Sequence, residues 1–222
     1  MEIVLLKENK NMLEVELKSR ELKEYLYLEL DKNRLEPIYD EDLNKITELD
    51  LDRFDLIEEQ TDMTLEDIVF FKNLKTCYLG NFILDDKNIK LLNTQRNLQF
   101  LQINDCIFDI KDEILSLNVN HLVIIDSENV DLSKYEDGAN LKKLKIMNCA
   151  NTNINGISNF KKLSKVYLQN LNLDNINEMA KMKNLSYVNL NGSIIKDDSF
   201  EKTNTEFIIV HDEINTIYDS ED

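Results

Sequence analysis

Between Leu141 and Asn204 apolar side chains return in a fixed order. Leu141-x-x-Leu144-x-Ile146, Leu163-x-x-Val166-x-Leu168 and Leu185-x-x-Val188-x-Leu190 open three segments at one constant interval. After Leu168 the apolar positions continue at Leu171, Leu173, Ile176, Met179 and Met182, a spacing of two to three that fits neither a helix nor a plain strand alternation. A fixed period of this length assigns one supersecondary unit to each repeat. A unit that cannot bury its own apolar side has to stack on its neighbours, so the pattern predicts a solenoid.

The same pattern extends upstream. Ile46-x-x-Leu49-x-Leu51, Leu74-x-x-Cys77-x-Leu79, Leu98-x-x-Leu101-x-Ile103 and Val119-x-x-Leu122-x-Ile124 precede the three regular copies, and the spacings from residue 46 onward are 28, 24, 21, 22, 22 and 22. A weaker copy, Thr205-x-x-Ile208-x-Val210, follows the one that opens at Leu185 after a slightly shorter interval. These residues resemble the leucine-rich repeat pattern, in particular the 22-residue repeats of bacterial internalin-like proteins. The resemblance implies an α/β solenoid: a leucine-rich repeat horseshoe with a parallel β-sheet on the concave face and short, mostly non-helical or 3₁₀ returns on the convex face. Eight or nine strands stacked at about 4.8 Å give a sheet on the order of 40 Å long. The ninth repeat position, usually Asn in this family, is here Phe54, Phe82, Cys106, Ser127, Cys149, Leu171 and Ser193. Asn or Asp stands one place earlier at Asn81, Asp105, Asp126, Asn148 and Asn170, which leaves the polar ladder of the turn shifted or absent.

The chain is expected to form one domain over residues 1–222. Ile3 to Leu6 and Met12 to Leu17 read as two strands about the turn Glu8-Asn9-Lys10-Asn11, which predicts a β-hairpin cap over residues 1–21. Leu22 to Leu30 reads as the strand of a degenerate first repeat over residues 22–45, with Pro37 in its loop. Repeats starting at 46, 74, 98, 119, 141, 163 and 185 fill residues 46–204, and residues 205–222 form a last partial repeat and carboxy-terminal cap. The return of the 46 copy, through Met63, Leu65, Ile68 and Phe71, is expected as a short helix opened by Thr64 with Asp67 three positions on.

Composition narrows the function. A net charge of −17 over 222 residues opposes general affinity for nucleic acid or anionic lipid, and favours solubility and basic protein partners. The start Met1-Glu2-Ile3-Val4-Leu5-Leu6-Lys7-Glu8 has neither the basic segment nor the apolar run of a signal peptide, and no stretch approaches the ~20 apolar residues of a membrane span. A cytoplasmic location is expected. Three dispersed cysteines, Cys77, Cys106 and Cys149, make no disulfide framework and read as buried, reduced thiols.

Little in the sequence carries chemistry. With four glycines there is no phosphate-cradling loop, and the two histidines, His121 and His211, stand in no ligand spacing. The acid pairs Asp85-Asp86 and Asp197-Asp198 read as solvated turns in preference to Ca²⁺ ligands. No catalytic residue, metal site or cofactor is expected.

The outward strand positions are the informative surface, since they have no core duty. The third position runs Glu48, Thr76, Phe100, His121, Lys143, Lys165, Tyr187 and Phe207. The fifth runs Asp50, Tyr78, Gln102, Val123, Lys145, Tyr167, Asn189 and Ile209, and the seventh Asp52, Gly80, Asn104, Ile125, Met147, Gln169, Asn191 and His211. Tyr78, Phe100, Val123, Ile125, Met147, Tyr167, Tyr187, Phe207 and Ile209 are expected to be exposed together, and contiguous exposed aromatics mark interaction sites. Charge is polarised along the axis: residues 1–67 hold 21 acids against 9 bases, whereas residues 141–183 hold 8 lysines against 2 acids.

The function expected is a non-enzymatic protein-binding module, in its general form a monomeric scaffold. Tyr78, Phe100, Gln102, His121, Lys143, Lys145, Lys165, Tyr167, Tyr187, Asn189 and Phe207 form its candidate partner-binding face. The alternatives are an inhibitor or immunity-type protein that occludes a basic toxin or nuclease, and a substrate-recognition subunit of an enzyme complex. No nucleic-acid or membrane partner is expected.

Overall fold

A computed structural model describes residues 12–53, 64–136 and 140–195, together with the backbone of 208–210. Its spine is an eight-stranded parallel sheet formed by β1 (Glu48–Asp50), β2 (Thr76–Gly80), β4 (Phe100–Asn104), β6 (His121–Ile125), β7 (Lys143–Met147), β8 (Lys165–Gln169), β10 (Tyr187–Asn189) and β12 (Ile208–Val210). These strands lie in chain order, so each coil pairs only with the coil before it and the coil after it. Leu144 stands opposite Leu122 on one side and Val166 on the other, and Val166 stands opposite Val188. The columns of the repeating pattern are therefore in register.

Those columns are the core. Leu49, Cys77, Leu101, Leu122, Leu144, Val166 and Val188 are buried, as are Leu51, Leu79, Ile103, Ile124, Ile146, Leu168 and Leu190. A side chain packed above and below by its equivalents loses its water to similar neighbours, which is why β-branched and leucine residues interchange freely here.

The opposite side of each coil is built from short pieces. Two-stranded ladders join β3 (Ile83–Asp85) to β5 (Ile107–Asp109), and β9 (Asn172–Leu173) to β11 (Ile194–Ile195). The coil that opens at Ile46, the longest by its spacing, returns through a 3₁₀ helix, Leu65–Phe70, and the next through α3 (Asp86–Leu92). Later coils use 3₁₀ turns at Leu132–Lys134, Ile157–Asn159 and Ile176–Lys181. Thr64 opens its helix as expected, accepting the Glu66 N–H at 3.2 Å. Asp67 does not close a capping box. Its carboxylate reaches the amino-terminal region, accepting the N–H of Lys18 at 2.9 Å and of Ser19 at 2.7 Å.

The start of the chain departs from expectation. Leu22 to Leu30 is not a strand: Arg20–Glu29 forms α1, followed by α2 (Asp40–Leu43). Leu22, Leu26 and Leu30 recur at every fourth position and pack on the core, while Leu28 faces solvent, so the 3.6 period governs and the local alternation around Tyr25 and Tyr27 is incidental. The expected hairpin falls largely outside the described residues. Its second half, Met12 to Leu17, forms no regular strand and makes one antiparallel bridge, Glu14 to Tyr39.

The last repeat is also out of step. The backbone pairs Tyr187 with Ile208 and Val188 with Ile209, so the strand is shifted by one position from the alignment that put Phe207 beside Tyr187. Phe207, His211 and the Asp197-Asp198 pair lie outside the described residues.

Candidate functional site

The six coils that open at Leu74, Leu98, Val119, Leu141, Leu163 and Leu185 each leave the strand through one residue with a left-handed backbone. At the eighth repeat position Asn81, Asp105, Asp126, Asn148 and Asn170 all have φ between 47° and 62°, and Gly192 has φ 70°. Asn, Asp and Gly are the residues that enter this region at low cost, which accounts for their recurrence. The side chains form a ladder: Asn148 donates to Asp126 Oδ1 at 2.9 Å and Asn170 to Asn148 Oδ1 at 2.7 Å. The polar ladder of the turn is thus present, displaced by one position toward the strand. The ninth position turns inward in its place, where Ser127 accepts the Cys106 N–H and donates to the Ile125 carbonyl. Ser193 likewise accepts the Leu171 N–H and donates to the Leu168 carbonyl.

At the other end of the strands a second amide series holds the coils together. Asn73, Asn97 and Asn184 each donate to a backbone carbonyl of the preceding coil, and Asn140 bonds Asn118. The signal is readable in the sequence as an Asn immediately before Leu74, Leu98, Val119, Leu141 and Leu185.

Both turn series fix the strands, and the strands present the inner face. A continuous line of rings and ammonium groups crosses six of them. The Tyr78 and Phe100 rings lie 5.5 Å apart, and Phe100 meets His121 edge-on at 6.5 Å. His121 stands opposite Lys143, the Lys143 ammonium sits 5.1 Å from the centre of the Tyr167 ring, and Tyr167 lies 5.3 Å from Tyr187. Lys145 is the register partner of Tyr167, and Lys165 of Lys143. Gln102 falls between Tyr78 and Val123, and Asn189 turns its side-chain oxygen to the Asn191 N–H at 3.0 Å.

The rings are less exposed than the sequence implies. Tyr78, Phe100, Ile125, Met147, Tyr167 and Tyr187 are half-buried, and Val123 is buried at 9% exposure. Neighbouring strands only about 4.8 Å apart shield one another's flanks, which leaves mainly the ring tips in water. Among the described residues the more exposed large apolar side chains lie elsewhere, among them Leu28, Leu35, Ile83 and Ile107. The side chains of 207 and 209 lie outside the description.

Electrostatics divide the face. Glu48, Asp50 and Asp52 line its first strand and the turn that follows, and burial, with Asp50 and Asp105 nearby, raises the Asp52 carboxyl above the usual range despite a bond from Asn104. Farther along, partial burial and then the charges of Lys143 and Lys142 depress the His121 imidazole below 6.5, so it is neutral at pH 7.

Other chemistry finds no centre among the described residues. All three cysteines are buried, and burial raises each thiol, that of Cys106 to about 11. Among the described residues no group of three His, Cys, Asp or Glu is placed to hold a metal, and no helix is long and apolar enough to cross a membrane. Asp85 caps α3 through the Asn88 N–H, and Asp86 accepts the N–H groups of Lys111, Asp112 and Glu113. That adjacent pair is therefore not the solvated turn expected: Asp85 ends β3, Asp86 opens α3, both are half-buried, and both serve backbone groups.

Comparison with solved structures supports the same architecture. Internalin C2 of Listeria monocytogenes aligns with TM-score 0.56 at 19% identity, over 87% of this chain and 93% of that one. A second internalin from the same bacterium aligns over 88% of this chain and 76% of its own at 16% identity, with a TM-score of 0.36 that carries no weight. No protein-family profile and no curated protein matches the chain. The fold is a leucine-rich repeat solenoid like that of internalin C2.

Proposed function

We propose that this protein is a non-enzymatic interaction module that binds a protein partner on the concave face of its sheet. One observation carries the reading: an unbroken run of Tyr78, Phe100, His121, Lys143, Tyr167 and Tyr187 across six adjacent strands, on side chains outside the core columns. Half-buried rings held by their neighbours lose little side-chain freedom on binding, which is why Tyr anchors interfaces efficiently. A strand framework fixes their spacing before a partner arrives. The buried, unpaired cysteines support a reducing, cytoplasmic setting as part of this reading.

The test is affinity capture from lysate of the native source, comparing the wild type with Tyr167→Ala/Tyr187→Ala and with the far-side control Ile83→Ala/Ile107→Ala. Loss of one identified partner in the first variant alone supports the concave face. Equal capture by all three proteins refutes it.

A further inference from the structure

Lys143 stands directly opposite His121 on one side and Lys165 on the other, and Lys145 lies on the same strand two positions along. Like charges across adjacent strands destabilise a sheet, and partial burial of Lys143 and Lys145 adds a desolvation cost. Among the described residues no acid pairs with these three lysines, although the chain holds 43 Asp and Glu residues. Acids do meet lysines elsewhere: Glu66 bonds Lys18 and Lys87, Asp42 bonds Lys32 and Lys45, and Glu113 bonds Lys90. Lys143 is offset only by the Tyr167 ring, and three cations without acidic partners gathered on the inner face of an acidic protein break a local rule. Such breaches concentrate where a sequence serves binding.

We propose that the face over β6, β7 and β8 takes an acidic polypeptide segment, with its carboxylates against Lys143, Lys145 and Lys165 and its apolar or aromatic residues against Tyr167 and Tyr187. This rests on the concave-face reading and adds the chemistry of the partner. A basic partner, which net charge alone favours, meets these cations and is repelled. A long polyanion such as nucleic acid overruns the patch onto Glu48, Asp50 and Asp52 and into the field of the acidic segment 1–67. A short acidic segment avoids both penalties. The segment 141–183, with 8 lysines against 2 acids, attracts it, while the far end turns it away and so fixes its orientation.

The experiment uses the full chain and fluorescent peptides of alternating glutamate and tyrosine, with the glutamine–tyrosine peptide as neutral counterpart. Lys143→Ala/Lys145→Ala/Lys165→Ala is compared with Lys161→Ala/Lys181→Ala/Lys183→Ala, which removes equal charge from exposed positions off the face. Circular dichroism and denaturation confirm that both variants fold. We expect the glutamate peptide to bind the wild type and the control alike, to weaken at least about tenfold on the first variant, and to weaken with salt. The proposal is overturned if the glutamine peptide binds as well, if both variants lose binding equally, if no glutamate peptide binds, or if a single-stranded oligonucleotide binds as tightly. Should any of these occur while Tyr167→Ala/Tyr187→Ala still abolishes capture of the native partner, the partner's chemistry is wrong and the concave-face reading stands.

Discussion

The Asn148 side-chain amide donates to Asp126 Oδ1 at 2.9 Å, and both residues hold a left-handed backbone, φ 54° and 49°. One residue thus does two jobs, accepting a conformation that most side chains resist and linking one coil to the next. The jobs separate by substitution. Asn148→Gly keeps the backbone freedom and loses the link, whereas Asn148→Ala loses both. We expect the alanine variant to be less stable than the glycine variant by about 1 kcal/mol, read from urea denaturation midpoints at equal slope. Equal midpoints would show that the left-handed backbone contributes nothing.

Asp67 is fully buried and ties the segment before α1 to the first 3₁₀ return by accepting two backbone N–H groups. Asp67→Ala leaves the buried Ser19 N–H without this acceptor. We expect a loss of about 1–3 kcal/mol, with hydrogen exchange rising first in α1 while β7 and β8 stay protected, since coils interact only with neighbours. Uniform loss of protection along the chain would contradict a local clasp.

The His121 imidazole is held below 6.5, first by partial burial and then by Lys143 and Lys142. The folded protein therefore binds fewer protons here than the unfolded chain. This position's contribution to stability is complete above about 6.5, the unfolded value, and declines as pH falls through the window beneath it. An NMR titration should place the midpoint below 6.5, and Lys143→Ala should move it upward. A midpoint at or above 6.5 in the wild type would remove the basis for the charge column.

If Lys165 opposes Lys143 without compensation, removing it should relieve the sheet. Lys165→Gln is expected to stabilise the fold by about 0.2–1 kcal/mol at low salt, with the gain shrinking as salt screens the pair. A variant destabilised at low salt would mean that the lysine stem matters more through packing than through charge.

The strand ladder is legible in the sequence because its signal is cumulative. Leu144, Val166 and Val188 share a column, and each copy of the pattern reinforces the others. Segments that occur once have no such check. Around α1 the alternation of Tyr25, Leu26, Tyr27 and Leu28 imitates a strand, and only the burial of Leu22 and Leu26 one turn apart distinguishes the helix. In the final repeat Phe207, Ile208 and Ile209 are consecutive apolar residues, so the sequence pattern does not single out one register, and the backbone pairs Ile209 with Val188. On the inner face the repeat pattern gives each residue's place on its strand but overstates its exposure. Burial of Val123 depends on strands at its sides, which are distant in sequence.

The coils differ in length, yet strand pairing from β1 to β10 keeps every column aligned, and the coil that opens at Leu74 accommodates its extra length with α3 on the outer side. Insertions and deletions on the outer rim therefore leave the inner residues where they were. Addition or removal of one whole turn changes the reach of that row by a single strand spacing. Such a molecule can drift in length on one side while preserving the order and spacing of the side chains on the other.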